Sequence, residues 1–188
     1  MKRLLLCALL LAACKEEAQD ISPVAMTAEA VGHYCQMGVL EHPGPKAQAH
    51  LEGMPGAPLF FSQVRDVVAY MRLPEQDGVI LAIYVSDMGA PGATWAEPGV
   101  MNWIALDRAH FVVGSSVEGG MGAPELVPFS RKADAERFAA DKGGRVLSLD
   151  QIPDSAVIAT AAPGADEAPD DAVDYNSRLR ALTEKTGG

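Results

Sequence analysis

The chain has 188 residues, 48% of them hydrophobic, with 15 basic and 25 acidic side chains and a formal charge of −10. A surface of that sign repels nucleic acid and anionic lipid, which excludes charge-driven binding to either. The length suits one domain or two small lobes.

In chain order, Met1-Lys2-Arg3 supplies a positive start, Leu4 to Leu11 is almost uninterrupted apolar sequence, and Leu11-Ala12-Ala13-Cys14 ends it with small residues before a cysteine. This is the layout of a lipoprotein signal: residues 1–13 are expected to be removed and Cys14 to carry the lipid. The apolar run falls well short of the ~20 residues that a membrane-crossing helix needs. Removal takes Lys2 and Arg3 with it, so 13 basic side chains face 25 acidic ones and the charge becomes −12. Lys15 stands where an aspartate would retain a lipoprotein in the inner membrane, so the expected location is a lipid-anchored protein facing the periplasm, with the outer membrane favoured. Residues 14–23 read as a tether. Cys7 leaves with the signal and Cys14 is acylated, which makes Cys35 the only thiol of the mature chain. An exported protein usually pairs or eliminates its thiols, so a solitary one calls for a function.

The remainder reads as an α+β protein of two related lobes, residues 24–88 and 89–159. Gly53-Met54-Pro55-Gly56-Ala57-Pro58-Leu59-Phe60-Phe61-Ser62 lines up with Gly120-Met121-Gly122-Ala123-Pro124-Glu125-Leu126-Val127-Pro128-Phe129-Ser130, and a helix is predicted after each. Val64, Val67, Val68 and Met71 recur at helical spacing before Pro74, which places Met71 in the core. Ala135, Phe138 and Ala139 do the same before Gly143. Ser62 and Ser130 are expected to cap these helices, with Asp66 and Asp134 favouring their N-termini. Strands are predicted at Ala47 to Leu51 and Val79 to Val85 in the first lobe. Asn102 to Leu106, His110 to Gly114 and Arg145 to Leu149 supply those of the second. The Gly/Pro-rich stretch Met88 to Ala93 marks the boundary. From Thr160 to Gly188 the acidic, Ala/Pro/Gly-rich sequence cannot bury enough apolar surface to offset its ordering entropy, and it reads as mostly disordered. A turn or two of helix at Tyr175 to Thr183 is the exception.

Val31-Gly32-His33-Tyr34-Cys35-Gln36-Met37-Gly38 is the candidate site. A thiolate two residues from a thioether, between glycines that let the backbone wrap closely, forms a soft donor pair suited to copper(I). Zinc wants a fuller set of thiolate, imidazole and carboxylate ligands than this chain offers. Met121, flanked by glycines in the second lobe, is the candidate third ligand. His33, Met54, Met88 and Met101 are its rivals. Cys-x-Met is also ordinary core sequence, and His42 and His50 lack partners at metal spacing and read as surface or strand residues. No phosphate loop, dinucleotide fingerprint or completed nucleophile–base motif appears, so no enzyme is expected. A docking scaffold that acts through its acidic tail and a Cys35-dependent thiol enzyme are the competing readings.

The lipoprotein start, Tyr34-Cys35-Gln36-Met37, Val85-Ser86-Asp87-Met88 followed by Trp95 and Trp103, and Met121-Gly122-Ala123-Pro124 ahead of Val127-Pro128-Phe129 together resemble the NosL family. The resemblance runs from Met1 to about Ala159, and its specificity lies in the order of the motifs. It implies a two-lobed α+β fold that holds copper(I) through Cys35 and Met37. It also implies delivery, by way of an ABC-type maturation complex, toward the copper-sulfide centre of nitrous oxide reductase. The acidic tail has no counterpart in that pattern.

Overall fold

The fold is built on two short hairpins, each of which sends its chain through one helix and back to the same sheet. A computed structural model describes residues 18–158. The signal, Cys14 and the first part of the tether fall outside these residues, as do Ala159 and the acidic tail from Thr160 with its anticipated helical turns. The chain divides into two units, Met1–Val157 and Ile158–Gly188, and every element below belongs to the first.

The first hairpin joins β1 (Ala47–Leu51) to β2 (Leu59–Phe61). Helix α1 (Val64–Arg72) and strand β3 (Ile80–Ser86) follow, and β4 (Trp103–Ala105) closes an antiparallel sheet of order β2-β1-β3-β4. The second hairpin joins β5 (His110–Val113) to β6 (Val127–Phe129). Helix α2 (Lys132–Lys142) and β7 (Arg145–Leu147) complete a sheet of order β6-β5-β7. Strand, strand, helix and strand thus recur with the same neighbours, β1 and β5 each lying between the two strands that follow them. The architecture is α+β with two small sheets and two helices.

One strand changes sides relative to the sequence reading. The sequence places Asn102 to Leu106 with the second lobe, yet β4 pairs with β3 of the first sheet, Tyr84 opposite Ala105 and Ser86 opposite Trp103. Edge strands β2 and β6 are too short, at three residues each, to show alternation in sequence. Pro128 sits in β6, where a missing N–H costs nothing on the outer side; its carbonyl accepts from the Met88 N–H at 2.9 Å.

Both helices keep their expected spans, but neither serine caps. Gln63 and Arg131 occupy the N-cap positions without side-chain caps. Ser62 is buried and turned to the Cys35 thiol, while the Ser130 N–H donates to the Asp87 carboxylate at 3.0 Å. Asp66 and Asp134 do lie in the first turns, and Gly143 ends α2 with φ +75°. Met71 is half-buried, on the rim of a groove beside β3.

β1 is buried along its whole length because both faces are covered. Helix α1 covers one face, with Val64, Val67 and Val68 fully buried and the Tyr70 ring 5.4 Å from Phe61. The N-terminal segment covers the other. Gln48 takes both the N–H and the carbonyl of Val24, and the Trp103 indole donates to that same carbonyl. Each fully buried valine contributes about 1.5–3 kcal/mol. The second lobe packs Val112, Val127, Phe129 and Ala135 against Phe138 and Trp95.

Candidate metal centre

The Cys35 loop is tied at its neck. Val31 bridges Gly38, the Gly32 N–H donates to the Met37 carbonyl at 2.9 Å, and the Gln36 N–H returns to the Gly32 carbonyl at 2.8 Å. Gln36 takes φ +56°, a left-handed conformation unusual outside glycine, and its side chain donates to the His33 carbonyl at 2.6 Å. The His33 N–H reaches the Phe60 carbonyl at 2.6 Å and fixes the loop against β2. Gly32 is required for the thiol's position, because a Cβ there would stand 2.5 Å from Cys35 Sγ and 2.7 Å from Ser62 Oγ.

Cys35 is half-buried and free. Its Sγ lies 3.3 Å from Ser62 Oγ and 4.0 Å from His42 Nε2. His42 Nδ1 is 3.2 Å from the Gly120 carbonyl, and the carbonyl accepts when Nδ1 carries the proton, leaving Nε2 with a lone pair toward the sulfur. Ligand histidines are commonly oriented in this way. With bonds of about 2.3 Å to sulfur and about 2.05 Å to nitrogen, one metal ion joins a thiolate and an imidazole separated by about 3.8 Å at 120° and about 4.3 Å when linear. The observed gap lies between these values.

The sequence alone reads His42 as a surface or strand residue, whereas the fold brings its ring to the Cys35 thiol. No spacing rule connects positions 35 and 42, and only the lobe contact at Gly120 turns the ring. The contact itself depends on glycine, since a Cβ on Gly120 would lie 2.6 Å from His42 Cβ. Met121 follows directly, its N–H donating to Gln63 Oε1 at 3.1 Å. Met37 and Met121 are 43% and 44% exposed; the first lies two residues beyond Cys35 in the same loop, and the second follows Gly120, whose carbonyl meets His42. Among the rivals, His33 is engaged with Asp77 at 3.3 Å and lies between aromatic rings. Met88 packs into the second core, and Met54 sits at the tip of the β1–β2 hairpin. His50 is buried in β1 against Gln48.

Beneath the loop lies a layer of buried polar groups. Burial pushes the Lys46 ammonium down to about 8, opposed by the negative charge of Glu125 and Cys35; its Nζ donates to the carbonyls of Pro43 and Gly44. Burial raises the Glu125 carboxyl to about 8, against the N–H groups of Arg65 and Leu126 that favour its charged form. Among the described residues Glu125 Oε2 and Gln63 Nε2 have no hydrogen-bond partner, and both crowd Gly119.

Among the described residues no group of three or more His, Cys, Asp or Glu is placed to hold a metal ion, so a zinc-type set is missing there. A thiol, an imidazole and accessible thioethers form a soft set that fits a monovalent ion. A thiol beside an oriented imidazole also has the geometry of a nucleophile–base pair.

Three comparisons bear on this geometry. The NosL family profile matches residues 23–157. The chain is 59% identical to the "Copper-binding lipoprotein NosL" of Achromobacter cycloclastes over 180 residues, covering 95% of this chain and 92% of the relative. It is 35% identical to the protein of the same name from Stutzerimonas stutzeri over 150 residues, covering 79% and 75%. Its fold superposes on the crystal structure of the copper chaperone NosL from Shewanella denitrificans with a TM-score of 0.64 at 32% identity, covering 71% of this chain and 96% of that one.

Proposed function

The chain belongs to the NosL family, and from that premise we propose that it is a copper(I) chaperone anchored to a membrane through a lipid on Cys14 and facing the periplasm. The observation that carries the reading is the half-buried Cys35 thiol 4.0 Å from an oriented His42 imidazole, with exposed Met37 in the same loop and exposed Met121 next to the Gly120 that meets His42. Copper is the cargo. Cys35 binds it as thiolate and gives up its proton, His42 supplies nitrogen, and Met37 and Met121 close the site from two lobes. Few ligands at an accessible site suit hand-over, because a receiving protein adds a donor before the carrier releases one. The family resemblance extends the proposal to delivery, through an ABC-type maturation complex, toward the copper-sulfide centre of nitrous oxide reductase. The outer membrane is the favoured site of anchoring.

The test is anaerobic copper(I) titration of the chain from Lys15 onward, native against Cys35→Ser. The native chain is expected to take up one tight equivalent and the variant none. A tight equivalent retained by Cys35→Ser overturns the assignment. Turnover that depends on Cys35 without added metal would favour the thiol-enzyme reading.

A further inference from the structure

The metal loop occupies one end of the first sheet, and the other end has chemistry of its own. There the Gln19 side chain clasps the close of β1: its Nε2 donates to the Leu51 carbonyl and its Oε1 accepts from the Gly53 N–H, both at 2.8 Å. Farther along, Val24 is held by Gln48, and the Met26 N–H donates to the Val100 carbonyl at 3.0 Å. The segment from Gln19 to Met26 is therefore fastened at three places, two along β1 and its end and the third on the loop that leads into β4. Cys14 precedes Gln19 by five residues, a stretch that spans at most about 17 Å. Beside the clasp stand large apolar side chains open to solvent, Met54 at 39% on the hairpin tip and Val79 at 61% just before β3. The Glu52 N–H joins their strands through the Val79 carbonyl at 2.9 Å.

We propose that this end of the first sheet, with Met54 and Val79 beside the Gln19 clasp, rests on the lipid bilayer that holds Cys14, so that the metal loop faces away from the membrane. The inference rests on acylation of Cys14, which is part of the proposed function. Chain length selects the occupant. A lipid on Cys14 keeps the clasp within about 17 Å of the bilayer, and the side chains next to the clasp are then the ones that meet it. Two apolar residues fall far short of the roughly 800 Å² that a stable protein partner covers on each side. A covalently tethered surface needs little more, because the tether already sets a high local concentration of lipid. Glu52 and Asp20 are exposed nearby, so the contact is apolar and best made on zwitterionic lipid. The metal end lies across the strand: Ala47 pairs with Phe61, the neighbour of Ser62, four residue steps from Leu51. Those four steps amount to about 13 Å. A receiving protein then approaches Cys35 from the aqueous side.

Internally, Met54 is the counterpart of Met121 in the repeated Gly-Met segment. One copy borders the metal loop and the other lies at the opposite end.

The test uses the full-length protein, exported and processed in a bacterial host and reconstituted into phosphatidylcholine vesicles that contain a lipid with a nitroxide on its headgroup. Tryptophan reporters are placed by Met54→Trp and Val79→Trp at the clasp and by Leu40→Trp at the metal end, where Leu40 shares a groove with His42 and Lys46. The unsubstituted chain gives the background of Trp95 and Trp103. The added emission of both clasp reporters is expected to be quenched at least twofold more than that of Leu40→Trp. Equal quenching at the two ends, in protein that floats with the vesicles, overturns the orientation and leaves the anchor intact. Protein that fails to float overturns both, because Cys14 then carries no lipid.

Discussion

Cys35 has two neighbours that are not evident from its own octapeptide. Ser62 and His42 reach it because Gly32 lets the thiol fold back on its own loop and Gly120 lets a second loop press on the imidazole. Were His42 a ligand, its removal should weaken copper(I) binding at least tenfold, which corresponds to about 1.4 kcal/mol. Competition with a chromophoric copper(I) chelator reads this directly in His42→Ala. An affinity equal to that of the native chain removes His42 from the set and leaves only sulfur ligands. Gly32 and Gly120 were legible as glycines in the sequence, but their reason was not. Neither is needed for a positive φ; each is needed because another residue's side chain occupies the space of its missing Cβ.

At the scale of elements, the segment Glu125 to Phe129 joins the metal end to the second core. Glu125 accepts the N–H of Arg65 at the start of α1, so a carboxyl of the second repeat braces the helix of the first. Buried and raised to about 8, it keeps in the folded state a proton that the unfolded chain releases near 4.5. The folded state binds more protons through that interval, so this contribution to stability is full below pH 4.5, declines as pH rises and is gone above about 8. For a single proton the slope is at most about 1.4 kcal/mol per pH unit. Urea unfolding at pH 5 and pH 8 should show a lower midpoint at pH 8 in the native chain, and Glu125→Gln should lose most of that difference. An unchanged difference would mean that the carboxyl is ionised in the folded protein. The helix starts carry a related lesson. Ser62 and Ser130 match a capping pattern, yet the helices start one residue later, with Gln63 and Arg131 in the N-cap positions, and Ser62 turns its hydroxyl to the Cys35 thiol.

Across the whole molecule, the two repeats share a topology and divide their tasks. Met54 and Met121 sit at equivalent points of the repeated segment, but only Met121 belongs to a loop that packs on His42 and Gln63. If Met121 closes the site, Met121→Ala should weaken copper(I) binding severalfold and alter the ultraviolet charge-transfer absorption of the bound state, whereas Met54→Ala in the chain from Lys15 onward should change neither. Equal behaviour of the two variants removes Met121 from the ligand set. The lobes are held in register by hydrogen bonds from one into the other: Asp87 accepts from Ser130, the Arg65 guanidinium donates to the Pro124 and Val157 carbonyls, and Arg72 pairs with Asp154 at 2.9 Å. A site that drew ligands from both lobes would therefore stay assembled.

Local sequence determined the helices, the long strands β1, β3 and β5, and the repeat itself, because apolar periodicity and breaker residues act over a few positions and need no distant partner. It also marked Cys35 and Met37, since a solitary thiol beside a thioether is visible without a fold. Tertiary structure alone decided that β4 joins the first sheet, that Ser62 serves the thiol in place of the helix, and that His42 turns its ring toward Cys35. Each of these depends on contacts between segments far apart in the chain, and packing that brings distant residues together leaves no period or spacing in the sequence to be read.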